Sequence, residues 1–375
     1  MASMMVRLYW LFGAIITYTF LGYPLLAAII ARLAPRPVAK APITPEVTVL
    51  IPAYNEAGYI AAKIENSLAL EYPPDKLKIV VAADGSDDET ASIASRYAGV
   101  TVYTRPERQG KAAAINRVMP LIDSEIVLFT DANALITPGS LQRMVANFAD
   151  PAIGGVAGEK QVKGGGEGLY WRYESYLKRN DSAFGSVMGA AGEIFAIRRS
   201  AFRPTEEDAI LEDFVLSLRL VAAGWRVVYE PGAVAWETAA PSLADDWQRR
   251  TRIAAGGLQS VSRLPEMLNP RLGWPFCQYT SHRVLRWVIT PFLLPALLIS
   301  NLLVISRPLY RLFLAGQLAF YGAGLLGYLL TLNGRQSGFL RGITYFCLAN
   351  LAALAGFWRY ATGRQPVTWR KTRRS

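Results

Sequence analysis

The chain has 375 residues, 52% of them hydrophobic and 18% charged, with a net charge of +11, and its positive mean hydropathy places part of it in lipid. Two cysteines and a single histidine exclude a disulfide framework, a zinc-ligand spacing and a histidine-dependent triad in the soluble part. The basic residues gather beside apolar runs, at Arg32 to Lys40 and Arg359 to Arg374, rather than among aromatics as in a nucleic-acid patch, so membrane lipids are expected partners and nucleic acid is not.

Leu8 to Ala31 carries no charge and is long enough to cross a bilayer. An uncleaved anchor over residues 1–34 fits better than a signal peptide, because the run is long and meets Arg32 and Arg36 rather than a small-residue cleavage site. The charges that follow it place the next domain in the cytoplasm. Pro35 to Pro45 is a linker. Val47 to Ile51 is a β-branched strand that Pro52 should break, and Asn55-Glu56 opens a helix through Leu68. Lys78 to Ala82 is a second strand running into Asp84-Gly85-Ser86-Asp87-Asp88-Glu89-Thr90. A helix to about Arg96 and a strand at Val100 to Tyr103 follow. Gly110-Lys111 precedes a helix with Ala112, Ile115 and Val118 on one face. Glu125 to Asn133 (E-I-V-L-F-T-D-A-N) is a buried strand spilling into a polar turn. Strands alternating with helices at this spacing predict an α/β fold with a parallel sheet, whose strand ends form the ligand edge.

Beyond Pro138 the pattern is mixed. Ile153 to Gln161 reads as a strand, Gly164 to Gly166 as a flexible turn and Leu169 to Asn180 as an aromatic-rich helix. Gly189 to Arg199 is a loop entering a strand, Ile210 to Ala223 a helix and Arg226 to Tyr229 a strand. Residues 241–282 read as amphipathic helices on the membrane surface. Residues 284–358 hold apolar segments at Val284 to Val304, Leu312 to Leu332 and Phe339 to Phe357, with Arg286 and Arg341 placed to snorkel. Three full spans would put the basic tail, residues 359–375, outside, against the positive-inside rule. Val284 to Val304, with Pro291 and Pro295, is then the expected non-spanning piece.

Several residues suit chemistry, each beside a plainer reading. Asp131 and Asn133 offer a carboxylate and an amide oxygen to a hard cation that takes its other ligands from phosphate, or form an Asx turn. Asp84 can accept from a base N–H, or belong to a turn that caps the next helix. Lys111 adds charge to a helix start that favours phosphate, or is simply solvated. Glu212 and Asp213 open a helix as capping acids, or Asp213 is a general base raised by burial beside a second acid. Arg249 and Arg252 suit diphosphate or lipid head groups. No Walker A or dinucleotide-binding glycine pattern is present.

In order, I-P-A-Y-N-E at Ile51 to Glu56, D-G-S-D-D-E-T at Asp84 to Thr90, G-K-A-A-A-I-N at Gly110 to Asn116, T-D-A-N at Thr130 to Asn133, G-A-A-G-E-I-F-A-I-R-R at Gly189 to Arg199 and L-E-D at Leu211 to Asp213 resemble the membrane-integrated family 2 glycosyltransferases. That group includes cellulose, hyaluronan and poly-N-acetylglucosamine synthases. The resemblance implies a GT-A fold over residues 45–240, Rossmann-like and mostly parallel, at the inner (cell) membrane. It implies an inverting, metal-dependent transferase using a nucleotide-sugar donor, usually UDP-linked, with Mg2+ or Mn2+. Ala53, Tyr54, Glu56, Asp84, Lys111 and Asp131 would bind the donor, Asp131 and Asn133 the metal, and Asp213 would be the base. Glu193, Glu212, Arg249 and Arg252 would face acceptor or diphosphate. The expected role is exopolysaccharide or capsule synthesis on a glycan acceptor, with room for an accessory subunit. Two departures stand out. Asn133 replaces an Asp of the family's D-x-D, and Arg249-Arg250-Thr251-Arg252-Ile253 stands where processive synthases carry Q-x-x-R-W. They keep open a single transfer to a lipid- or polyprenyl-linked acceptor, and an inactive scaffold for a partner synthase.

Overall fold

The computed structural model describes residues 2–163, 168–238, 242–335 and 338–366. The turn expected at Gly164 to Gly166 and the end of the basic tail lie outside the described residues.

The central strand β1, Val47–Ala53, is buried along all but Pro52. It pairs in parallel with β2, Leu77–Asp84, and with β4, Ile126–Phe129. Pro52 does not break β1 as expected. Pairing with β4 ends at Leu50, so from there the strand has one partner only, and a residue without an N–H is tolerated. β3, Val100–Arg105, extends the parallel side beyond β2. β5 is a two-residue strand, Leu135–Ile136, which the sequence did not announce. β6, Ile153–Lys163, β7, Phe195–Arg198, and β8, Arg226–Thr238, complete an eight-stranded sheet in the order β3-β2-β1-β4-β7-β6-β8-β5. β7 runs antiparallel to β4 and β6, while β6 and β8 are parallel. β8 continues well past Tyr229 because a register shift absorbs Pro231-Gly232 between Glu230 and Val234. The strand order reverses between β1 and β4, the place where such sheets hold ligands.

Two turns are stitched together at that edge. Asn55 takes a left-handed φ of 53°, and its N–H donates to Ser86 Oγ at 3.1 Å. The N–H of Glu56 donates to Thr90 Oγ1 at 2.7 Å and that of Ala57 to Asp88 Oδ2 at 3.1 Å. The helix expected from Asn55 therefore starts only at Ile60, since residues 55–57 are held by the acidic loop instead.

Among the described residues, Ser3–Leu33, Trp274–Leu303, Pro308–Leu332 and Gly338–Ala361 are long and apolar enough to cross a membrane. The segment expected not to span is thus part of a 30-residue helix. Over residues 274–289, Trp274 and Ile289 are exposed, while His282, Arg283 and Arg286 are buried against Glu174 of the helix Gly168–Phe184. Arg286 does not snorkel; it pairs with Glu174. The turns widen to π pairing over Thr280–Ile289, just ahead of Pro291 and Pro295, which supply no N–H.

The helix Leu243–Arg263 lies between the sheet domain and the last helix. Small residues make this approach possible. A Cβ on Gly256 would stand 2.5 Å from Leu211 Cγ, one on Gly257 2.5 Å from Trp287 Cε3, and one on Gly356 2.7 Å from Ala254 Cβ. The run Ala254-Ala255-Gly256-Gly257 is therefore the knuckle that joins the site to the membrane helices.

Candidate active site

A cavity of about 400 Å3 opens at the switch point. Ala53, Tyr54, Glu56, Asp84, Lys111, Asp131, Asn133, Glu193, Glu212, Asp213, Arg249 and Arg252, the residues singled out in the sequence, all line it.

Asp84 ends β2 and is buried. Its Oδ2 accepts from the N–H groups of Gln109 at 3.0 Å and Gly110 at 2.6 Å, so it holds the loop that delivers Lys111. Its Oδ1 is buried and faces Arg117 Nη1 at 3.7 Å, longer than a hydrogen bond. Arg108 stacks 3.7 Å over the Tyr54 ring and completes this wall. The sequence offered no signal for it, because Arg108 lies in an otherwise ordinary polar loop.

Gly110 has a φ of 107°, a conformation open to glycine, and turns the chain into the helix Lys111–Val118. Lys111 Nζ bridges Asp131 Oδ1 at 2.7 Å and Glu212 Oε1 at 2.8 Å. Burial opposes its charge, but Asp131, Glu212 and Asp213 outweigh that and raise its pKa well above the usual lysine value. Burial alone would raise Glu212; Lys111 holds it below the ordinary range. Asp213 goes the other way: burial, then Glu212, pushes its carboxyl up to about 7. One Oδ of Asp213 accepts from the N–H of Phe214 at 2.8 Å. The other faces Gly192, where an added Cβ would stand 3.1 Å from it, 2.6 Å from Lys111 Nζ and 3.6 Å from Asp131 Oδ1. Gly192 thus keeps open the space between the lysine and the two carboxylates.

The far wall is a buried ion network. Lys160 contacts both Glu193 and Glu237, and Arg249 Nη2 lies 3.7 Å and 3.6 Å from the same two carboxylates. Burial opposes ionisation of Glu193, yet Lys160 and Arg249 bring its pKa down to about 2. Its carboxylate is committed to this network while it lines the cavity. Asn133 Nδ2 donates to Glu237 Oε1 at 3.0 Å, which leaves its Oδ1 as the amide atom for a ligand. Arg252 Nη2 donates to the carbonyl of Ile210, and Gln259 Oε1 accepts from the N–H of Ile210 at 2.8 Å; both bonds fix the approach to Asp213. Lys63, on the helix Ile60–Leu68, is fully buried and donates to Thr130 Oγ1 at 2.7 Å and to the Ala134 carbonyl at 2.5 Å. It brackets the Asp131-Ala132-Asn133 turn. Lys160, Glu237 and Lys63 escaped sequence reasoning because their partners are distant in the chain.

The donor set fits a hard divalent ion of low side-chain demand. Asp131, paired with Lys111, and Asn133 both line the cavity, and the described residues contain no cluster of three or more His, Cys, Asp or Glu able to hold a metal alone. Such an ion would need phosphate and water for its remaining ligands, as Mg2+ commonly does.

Residues 48–205 match the model of the family described as Glycosyl transferase family 2. The chain is 29% identical over 231 residues to poly-beta-1,6-N-acetyl-D-glucosamine synthase of Staphylococcus aureus, covering 58% of this chain and 56% of that protein. It is 24% identical over 272 residues to the synthase of the same name from Staphylococcus epidermidis, covering 69% and 64%. The match thus spans little more than half the length of the first of these relatives. A mannosyltransferase from Pyrobaculum calidifontis, solved in complex with GDP-Man and Mn2+, shares the fold with a TM-score of 0.75 and 25% identity, covering 95% of this chain and 99% of that one.

Proposed function

We propose that this chain, which carries a family 2 glycosyltransferase domain in a GT-A fold with candidate membrane helices on both sides, moves a sugar from a nucleotide-sugar donor to a hydroxyl at the membrane and inverts the anomeric carbon. The observation that carries this reading is the Lys111 bridge between Asp131 and Glu212, with Asp213 on the open side kept by Gly192.

Ala53, Tyr54, Glu56 and Asp84 form the nucleoside end, with the Asp84 carboxylate as the acceptor for the base. Lys111 and the helix start behind it neutralise the diphosphate. Asp131 and Asn133 would hold Mg2+ or Mn2+, which would supply further positive charge against the diphosphate. Asp213, raised to about 7 by burial and Glu212, takes the proton of the acceptor hydroxyl. The acceptor oxygen bonds to the anomeric carbon, the carbon's bond to the diphosphate oxygen breaks, and the electron pair leaves with the nucleoside diphosphate. Arg249 and Arg252 belong to the acceptor or diphosphate end, and Glu212 acts through Lys111.

The names of the relatives support exopolysaccharide synthesis; the glycan acceptor and an accessory subunit as further partner rest on the family resemblance alone. UDP-linked and GDP-linked donors both have support, from the expected family pattern and from the mannosyltransferase complex. The basic flank after the first helix supports an inner-membrane enzyme with its catalytic domain, residues 45–240, in the cytoplasm.

The test is donor turnover by the purified full chain with UDP- and GDP-sugars and Mn2+. Asp213→Asn should cut sugar transfer by about 10²- to 10⁴-fold, the usual worth of a general base, while nucleotide affinity stays within a few-fold of wild type. Unchanged transfer in this variant would remove Asp213 as base. A wild-type chain that binds nucleotide without turning it over would support the scaffold reading instead.

A further inference from the structure

A second cavity, of about 970 Å3, lies on the membrane side of the active site. Tyr170, Trp171, Arg249, Ile253 and Trp287 line both cavities, so the two share a wall. One side of the second cavity is apolar, built by Phe20 and Leu21 of the first helix, Phe320 of Pro308–Leu332, and Phe346 and Ala349 of Gly338–Ala361. The other side is cationic. Arg172, Arg249, Arg250, Arg286 and Arg341 line it against a single carboxylate, Asp246. Arg250 pairs with Asp246 at 2.7 Å and lies 3.8 Å over the Tyr345 ring. Glu174 holds Arg286, yet the buried Nη1 of Arg286 has no hydrogen-bond partner among the described residues.

A free sugar chain presents hydroxyls, which call for carboxylates, amides and stacked aromatic faces; Asp246, Asn350, Trp171 and Trp287 offer a few of these. What a sugar chain has no use for is the rest of the lining, a hydrocarbon wall and five guanidinium groups. Guanidinium is the group suited to gripping phosphate oxygens in pairs. We propose that the cavity binds a single-chain lipid phosphate that carries the acceptor: the chain lies against Phe20, Phe320 and Phe346, and the phosphate linkage lies between Arg250, Arg286 and Arg341. The head then reaches Asp213 past Ile253 and Trp287, residues common to both cavities. The absence of the expected Trp at Ile253 gains a reason, since the shared wall must admit a head group rather than stack a polymer sugar. This rests on the glycosyltransferase reading and narrows its acceptor.

The experiment uses the full chain in phosphatidylcholine nanodiscs with a photoreactive polyprenyl phosphate, and maps adducts by mass spectrometry. Saturable labelling on Gly338–Ala361 and Leu243–Arg263 is expected, displaced by unlabelled polyprenyl phosphate but not by phosphatidic acid or a soluble oligosaccharide. Arg341→Glu and Ala349→Trp, which reverse a charge and fill the space, should each weaken labelling about tenfold or more, the equivalent of one charged hydrogen bond. Non-saturable labelling, labelling confined to outward residues such as Leu325 and Leu329, or equal displacement by phosphatidic acid or the oligosaccharide would overturn the proposal. Calorimetry with UDP- and GDP-sugars on the same discs separates the two ideas. No nucleotide-sugar binding beside saturable labelling would sink the transferase reading and leave the lipid site standing.

Discussion

Gly192 and Lys111 are 81 positions apart, yet a single methyl on Gly192 would stand 2.6 Å from Lys111 Nζ. The clash is with the tip of a flexible side chain rather than with backbone, so the fold can yield. The chemistry cannot yield as easily, because the displaced ammonium bridges Asp131 and Glu212. Gly192→Ala should therefore lower kcat by about 10- to 100-fold, in line with a misplacement of about 1 Å at a reacting centre. Its melting temperature should stay close to wild type. Steady-state kinetics beside thermal unfolding checks this, and a large loss of stability with normal kcat in the surviving protein would contradict it.

Asp213 sets the pH behaviour. A carboxyl that ordinarily titrates near 4 is pushed up to about 7 by burial and by Glu212. Between those values the folded chain holds a proton that the unfolded chain has lost. The stability contributed by this group therefore falls as pH rises from about 4 to about 7, and Asp213→Asn should flatten that limb of a melting-temperature profile. Activity runs the opposite way, since the base works only when ionised. The kcat/KM of the free enzyme should climb about tenfold per pH unit below about 7 and level off above it. A profile flat from pH 5 to 8 would remove the raised carboxyl from the mechanism.

The parts of this site that sequence reasoning reached are those carried by short chain segments. Asp84, Lys111 and Asp131 each stand at or beside a strand end or helix start, where turn chemistry and hydrophobic runs mark the edge of a parallel sheet, and Asp213 stands in the first turn of a helix. The helix start at Ile60 instead of Asn55 was not legible, because what delays it is three hydrogen bonds to a loop some thirty residues away. Arg286 misled for the same reason. Read along the chain, it is a charge at the end of an apolar run; in the fold it meets Glu174, 112 residues earlier. Gly192 stood within the motif at Gly189 to Arg199, but its part was not legible there, since its value is the empty space between three side chains from other elements.

Glu174 is where the membrane helix is fastened to the catalytic domain. Burial would raise its pKa, but Arg286 and Arg283 hold it well below the usual carboxylate range. Arg283 Nη1 approaches it at 3.4 Å and His282 Nε2 at 3.6 Å. His282 also meets Asp181 at 2.7 Å. Glu174→Ala strands two buried guanidinium groups, a change worth about 3–5 kcal/mol when one partner of a buried pair is removed. A marked fall in melting temperature in nanodiscs is expected, with new proteolytic cuts between Arg263 and Trp274. Glu174→Gln should lose less, because it keeps an acceptor oxygen.

Lys63 tests how the Asp131 turn is held. Burial brings its pKa down to about 7 against the pull of Asp131. Its two acceptors, Thr130 Oγ1 and the Ala134 carbonyl, flank the turn on either side. Lys63→Met fills much of the same space and removes the cost of burying a charge, which offsets part of the roughly 1–3 kcal/mol lost when the buried Ala134 carbonyl loses its donor, so the melting temperature should fall only modestly. The turn, however, loses both anchors. Donor affinity in the presence of Mn2+ should weaken about tenfold, the equivalent of one hydrogen bond's net worth, read by calorimetry. Affinity for the nucleoside alone should hold, since Asp84 and Tyr54 are untouched.

Asn133 is the departure from D-x-D, and the structure supplies a reason for it. Its amide donates to Glu237 Oε1 at 3.0 Å, and Glu237 is itself paired with Lys160. An Asp at this position would set a carboxylate against a carboxylate in a half-buried wall and leave Glu237 without that donor. The cost is of the order of 1–3 kcal/mol for a lost buried partner, before like-charge repulsion is added. Asn133→Asp should therefore lower the melting temperature and bring no gain in Mn2+ affinity, because the added charge is spent on repelling Glu237. The double variant Asn133→Asp with Glu237→Gln should recover the stability, since the amide of Gln restores a donor between the two positions. Calorimetric Mn2+ titration with nucleotide present, run on wild type and both variants, decides the matter. Tighter Mn2+ binding by Asn133→Asp alone, with an unchanged melting temperature, would mean that Glu237 does not govern this position.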